Sequence, residues 1–179
     1  MPYLPVGTCY FSRTLIWNSN RIKMDTISIL FVCLGNICRS PAAETIFKSI
    51  VEKEGVEDKI EADSAGLISC HEGESADSRM RNMAYQHGYL ITHKSRPIQK
   101  SDFYKFDLII GMDNENVRKL HQLCPPDAKA EIHLMTEYCT QHTDEVVPDP
   151  YYGGTAGFTH VIDLLEDSCI GLFKHIINK

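Results

Sequence analysis

The residues most suited to chemistry stand close together near position 35. Cys33-Leu34-Gly35-Asn36-Ile37-Cys38-Arg39-Ser40-Pro41 places a thiol six residues before a guanidinium and seven before a hydroxyl. The apolar, β-branched run Ile27–Val32 precedes it, and a segment with helical spacing follows, so the loop joins a strand to a helix. A helix N-terminus offers unpaired backbone N–H groups and a partial positive charge, which together make an anion site. Gly35 allows tight curvature and Asn36 tolerates a left-handed backbone. Arg39 offers a planar fork for two phosphate oxygens. Cys33, at the strand end, faces the same cradle, where the dipole, the N–H groups and Arg39 favour its thiolate and Ser40 can donate to it. The GxxxxGK[ST] pattern of nucleotide loops and its lysine are missing. A thiolate under a phosphate cradle is placed to attack phosphorus. The competing reading is a buried cysteine beside a helix-capping serine and a surface arginine.

Such a nucleophile needs a carboxyl to protonate the leaving oxygen and later to activate water. Asp149 is the candidate, in Pro148-Asp149-Pro150-Tyr151-Tyr152-Gly153-Gly154, where two prolines stiffen the chain around it. By itself this segment reads first as a plain turn, since Asp-Pro and Gly-Gly are turn dipeptides.

The elements that must hold these groups follow from the apolar pattern. Residues 40–54 read as a helix, with Pro41 in its first turn and Gly55 as its C-cap. Strands are expected over Ile60–Ala65, Phe106–Met112 and Ala130–Met135. Helices are expected over 77–87, Asn114–Leu123 and from about Phe158 to Asn178. Alternating strands and helices give a three-layer α/β fold, a central parallel four-stranded sheet with helices on both faces. Ligands in such sheets sit beyond the carboxyl ends of the strands, where the strand order switches.

The chain has 179 residues, 18 Lys+Arg against 24 Asp+Glu, and a formal charge of −6. That length suits one domain. The acidic balance argues against a nucleic-acid partner, and no apolar run is long enough for a membrane span. Residues 1–24 hold Arg13, Arg21 and Lys23 and no acid, so the remainder carries 15 basic against 24 acidic residues, or −9. They read as a disordered or non-native extension, with a weak transit peptide as the alternative and Met24 as a natural second start. Residues 25–179 form the domain. The seven cysteines (Cys9, Cys33, Cys38, Cys70, Cys124, Cys139, Cys169) include no CxxC pair, which argues against a disulfide scaffold or structural zinc. Cys124, Cys139 and Cys169 read as core thiols.

From Phe31 to Glu44, and again at Asp63-Ser64-Ala65-Gly66, Ala76-Asp77-Ser78-Arg79-Met80, Met112-Asp113 and Val147–Gly153, the chain resembles the low-molecular-weight protein tyrosine phosphatases. The resemblance spans about residues 27–178. It implies a flavodoxin-like fold of the phosphotyrosine phosphatase I type. It implies hydrolysis of phosphotyrosine in proteins, and of small aryl phosphates, through phosphocysteine. In that scheme Cys33 is the nucleophile, Arg39 and the loop amides of Leu34, Gly35, Asn36, Ile37, Cys38 and Ser40 bind phosphate, and Asp149 is the general acid and base. Ser64, His93 and Asp113 resemble supports of the loop, although His93 alone reads as an exposed loop residue and Asp113 equally as a helix N-cap. Tyr151 and Tyr152 resemble one wall of the cleft and are also potential phosphate acceptors. A gap-free alignment puts Cys70, followed by His71, at the opposite wall, where the family commonly has an aromatic residue. Ile37 stands where phosphoarginine phosphatases of the superfamily tend to carry threonine. Cys38 is a candidate redox partner for Cys33, or a small filler of the loop base. No metal or cofactor is expected, and a cytoplasmic monomer is. Activity is expected to peak in mildly acidic solution. The rivals are a thiol-dependent arsenate reductase, which needs two further redox cysteines where only Cys70 lies near, a phosphatase of another phosphorylated residue, and a non-catalytic binding module.

Overall fold

A computed structural model describes residues 26–178; the N-terminal segment with Cys9 lies outside the described residues. The elements are β1 (Ile27–Cys33), α1 (Arg39–Glu54), β2 (Ile60–Gly66), α2 (Ser78–Gln86), α3 (Asp102–Lys105), β3 (Leu108–Gly111), α4 (Asn114–Leu123), β4 (Glu131–Leu134) and α5 (Gly154–Ile177). Short 3-10 turns occupy Met135–Tyr138 and Pro150–Tyr152.

The four strands are parallel in the order β2-β1-β3-β4. Alternation along β1 explains the two cores. Ile29, Phe31 and Cys33 join a cluster with Ala42, Ile46 and Phe47 of α1 and Val161, Leu165 and Leu172 of α5. Leu30 and Val32 point the other way, to Phe103, Phe106, Ile109 and Leu120. Burial on both faces is what an unbroken apolar strand demands. The strand order reverses between β2 and β3 on either side of β1, so the carboxyl end of β1 is the switch point.

The helix over residues 40–54 is present, and Gly55 closes it in the left-handed conformation at φ 67°. α4 has the expected bounds. β3 and β4 are each shorter than the apolar runs that announced them. α3 carried no periodic signal in four residues. α5 begins four residues before Phe158 because its first turn is exposed and shows no apolar stripe. Of the three expected core thiols, Cys169 is fully buried, and Cys124 and Cys139 are half-buried but packed against the two core clusters.

Candidate active site

β1 ends at Cys33, and the chain turns through Leu34–Cys38 into α1. Asn36 sits at φ 55°, the left-handed region that an asparagine can occupy. Its backbone N–H donates to Cys33 Sγ at 3.3 Å, and Ser40 Oγ lies 3.1 Å from the same sulfur. The Asn36 side chain holds the turn. Its Nδ2 donates to Ser40 Oγ and to Ser64 Oγ, each at 2.9 Å. Its Oδ1 accepts the Arg96 backbone N–H at 2.9 Å, which fixes the amide orientation. His93 Nε2, 2.9 Å away, must therefore donate to that oxygen. Ser40 Oγ, already accepting from Asn36, keeps its own proton for Cys33 or for Ala65 O, 3.4 Å away.

Glu44 completes this support. It takes a hydrogen bond from Ser64 Oγ at 2.6 Å, lies 3.0 Å from His93 Nδ1, and pairs with Lys48. Burial acts to raise its carboxyl, but the bonds from His93, Lys48 and Ser64 outweigh that and hold it at about 2. Gly66, opposite Cys33 in the ladder, lets β2 lie against the loop. A Cβ there would come within 3.1 Å of Gly35 C, Asn36 Cβ and Ile68 O.

Arg39 is buried beneath the cleft. Its Nη1 meets Asp113 Oδ2 at 2.6 Å and Val147 O at 3.2 Å, and its Nη2 meets Asp149 Oδ2 at 3.3 Å. Burial disfavours the guanidinium charge, but Cys33, Asp113 and Asp149 more than compensate, so its pKa is raised further. Asp113 meets Arg39 with one oxygen and with the other accepts the Asn116 N–H at 2.7 Å as the N-cap of α4.

Cys33, Leu34, Gly35, Ile37, Cys38, Arg39, Ile68, His71, Asp149 and Tyr151 line one cleft. Burial pushes Cys38 up to about 12, with Asp77, Cys33 and Asp149 adding to the rise and Arg79 opposing it. Cys38 is thus kept as a thiol, unsuited to nucleophilic attack.

One placement is corrected. Cys70 is exposed and does not line the cleft; His71 does, its ring against Gly35 and its Nδ1 2.8 Å from Glu74 Oε2. The loop after β2 turns one residue beyond the gap-free alignment. Tyr151 stands across from it, and the Tyr152 side chain lies outside the described part. The sequence reading missed Glu44 as a support, along with Ser95, whose Oγ donates to Gly35 O at 3.1 Å, and the Arg96 backbone. Glu44 lies one turn beyond Ser40 on α1, but its partners Ser64 and His93 come from other parts of the chain, so no local spacing announced it.

The family model of the low molecular weight phosphotyrosine protein phosphatases matches residues 28–179. The chain belongs to this phosphatase family. The curated relatives it matches are named protein-tyrosine phosphatases, which are hydrolases. A Schizosaccharomyces pombe relative of that name is 41% identical over 151 residues, covering 84% of this chain and 97% of its own. The crystal structure of an Entamoeba histolytica protein tyrosine phosphatase, with Hepes in its active site, superposes with a TM-score of 0.83 at 47% identity, over 86% of this chain and 98% of that one. A Drosophila arginine phosphatase superposes at 0.78 with 37% identity, over 83% and 96%. The phosphatase sheet places its loop at the switch point of the strand order. Among the described residues no helix is long and apolar enough to cross a membrane.

Proposed function

We propose that this chain hydrolyses phosphotyrosine in proteins, and small aryl phosphates, through a phosphocysteine on Cys33. The observation that carries the reading is the convergence on one cleft of Cys33, the Arg39 fork and Asp149, with Asn36 and Ser40 bonded to the Cys33 sulfur. Cys33 Sγ attacks phosphorus and the P–O bond to the aryl group breaks. Asp149 gives its proton to the departing oxygen. The Asp149 carboxylate then takes a proton from water, whose oxygen attacks the phosphocysteine and returns Cys33 as thiolate. Arg39 and the loop amides hold the three outer phosphate oxygens, where charge is spread in the transition state. Arg39 pairs with Asp149 across the cleft, so an arriving phosphate competes for the same guanidinium nitrogen and releases the acid toward the leaving group.

A flat aryl ring fits between Tyr151 and the Ile68/His71 wall. Hydrolysis of phosphoarginine is the second reading, favoured by the likeness to the Drosophila arginine phosphatase. The deciding experiment is a rapid-mixing assay on p-nitrophenyl phosphate, with mass spectrometry of Cys33 and a parallel panel of phosphotyrosine and phosphoarginine peptides. A burst of p-nitrophenol with a phosphate adduct on Cys33 is expected, together with preference for phosphotyrosine, no effect of chelator, and no turnover by Cys33→Ser or Arg39→Lys. Normal turnover by Cys33→Ser would sink the mechanism. Thiol-coupled reduction of arsenate without phosphate release would replace it.

A further inference from the structure

Asp149 and Tyr151 sit on an exposed turn, which a side chain of α2 grips in addition to the Arg39 contact. Arg79, in the first turn of α2, donates from Nη1 to Tyr151 O at 3.1 Å. Its guanidinium lies 4.8 Å from the centroid of the Tyr151 ring and 4.9 Å from that of Phe158, on the first turns of α5. Asp77 fixes the guanidinium from the other side, with Oδ1 accepting from Nε at 3.0 Å and Oδ2 from Nη2 at 2.7 Å. Asp77 is itself anchored twice. It caps α2 by accepting the Arg79 N–H at 2.8 Å, and its own N–H donates to Ile37 O, in the phosphate loop, at 2.8 Å. The far end of the chain of contacts is the acid: the Tyr151 N–H donates to Asp149 Oδ1 at 3.0 Å.

We propose that Arg79 is a positioning residue that ties the acid-bearing turn to the phosphate loop, through Ile37, Asp77, Arg79, Tyr151 and Asp149 in sequence. The proposal rests on the reading of Asp149 as the general acid. A guanidinium suits the task because its fork meets one carboxylate while its flat face covers aromatic rings. Tyr151 also lines the cleft, so the grip that aims Asp149 also sets the height of the wall on which a substrate ring packs.

A positioning role predicts a kinetic signature that general loosening does not. The acid matters more as the leaving oxygen becomes more basic, so the measured quantity is kcat/KM for phenyl phosphate relative to p-nitrophenyl phosphate. This constant reports the steps through cleavage of the aryl bond. Asp149→Ala should lower the ratio by about a hundredfold, the low end of what a general acid contributes. Arg79→Ala should lower it by about tenfold, a fraction of that contribution. Arg79→Lys should fail to restore it, because an ammonium has neither fork nor face. In the Asp149→Ala background, Arg79→Ala should leave the ratio where it is. A ratio unchanged in Arg79→Ala, full rescue by lysine, or an equal further drop without Asp149 would each overturn the clamp. If Asp149→Ala itself left the ratio unchanged, the acid assignment would fall and the clamp with it, and that result is separable from failure of the clamp alone.

Discussion

The two halves of the cleft are built differently. The phosphate loop rests on a buried polar network: Asn36, Ser40, Ser64 and Glu44 are all 5% exposed or less, and each makes at least two hydrogen bonds or ion pairs. The acid-bearing turn is open. The Asp149 side chain is 48% exposed, and it is held by the Tyr151 N–H, one 3.3 Å contact with Arg39, and Arg79 acting at one remove. Phosphate geometry is the same for every substrate, so the groups that meet it can be locked. The leaving group and its surroundings vary, and the acid must give up its partner Arg39 when phosphate arrives. Rigidity therefore belongs on one side and adjustability on the other.

The contrast can be broken most directly at Asn36. Asn36→Ala removes the acceptor of the half-buried His93 and Arg96 donors and the donor to the buried Ser40 and Ser64. It also places alanine at a positive φ. Each stranded group costs on the order of 1–3 kcal/mol, so a total loss of about 4 kcal/mol is expected in denaturant unfolding. The loop N–H groups would shift from their common focus, and a displacement near 1 Å costs roughly a hundredfold in rate. If the variant unfolds like the parent and keeps its kcat/KM, the network is not what shapes the loop.

The two sides were also unequally legible in the sequence. Cys33, Arg39 and the left-handed Asn36 could be read because strand, glycine, asparagine and helix start are local signals a few residues apart. The central strands β1 and β3 were found for the same reason, their burial on both faces leaving apolar runs, whereas the edge strands β2 and β4 are buried only in part. Glu44 and Arg96 were not read as loop supports, because their partners lie 20 and 60 positions away and only folding joins them. Ser64 and His93 were placed through family resemblance rather than through any pattern of their own. The wall residue was misread by one position, since loop length between β2 and α2 fixes which side chain faces the cleft and composition does not. The Arg79 contacts depend on where the first turns of α5 lie, and that exposed stretch has no apolar period to announce it.

A milder test of the locked side uses acid. The Glu44 carboxyl sits at about 2 in the folded protein, against an ordinary value of 4.5. A carboxyl lowered by folding adds stability that is complete above the unfolded value and disappears as pH falls toward the folded one. The loss should run between about pH 4.5 and 2 and amount to on the order of 3 kcal/mol, from the size of the shift. Glu44→Gln should be less stable than the parent at neutral pH and lose less on acidification across that window. Parallel stability curves for the two proteins would remove Glu44 from the account of the loop.

The smallest effect is expected on the open side, where it is the most discriminating. Asp149→Ala removes an exposed carboxylate whose ion pair with Arg39 spans 3.3 Å, and Arg39 keeps its 2.6 Å partner Asp113 and its bond to Val147 O. The guanidinium keeps those two partners and its freed Nη2 belongs to a side chain that lines the open cleft, so unfolding stability should change by less than about 0.5 kcal/mol. Freeing Arg39 Nη2 from its carboxylate should tighten the binding of inorganic phosphate or vanadate, because the anion no longer has to displace Asp149. Turnover should nevertheless fall. A protein that is as stable as the parent, binds the anion better and reacts more slowly has an acid turn that is poised rather than structural. Should Asp149→Ala cost as much stability as Asn36→Ala, the acid would belong to the locked framework, and the division between the two halves of the cleft would not hold.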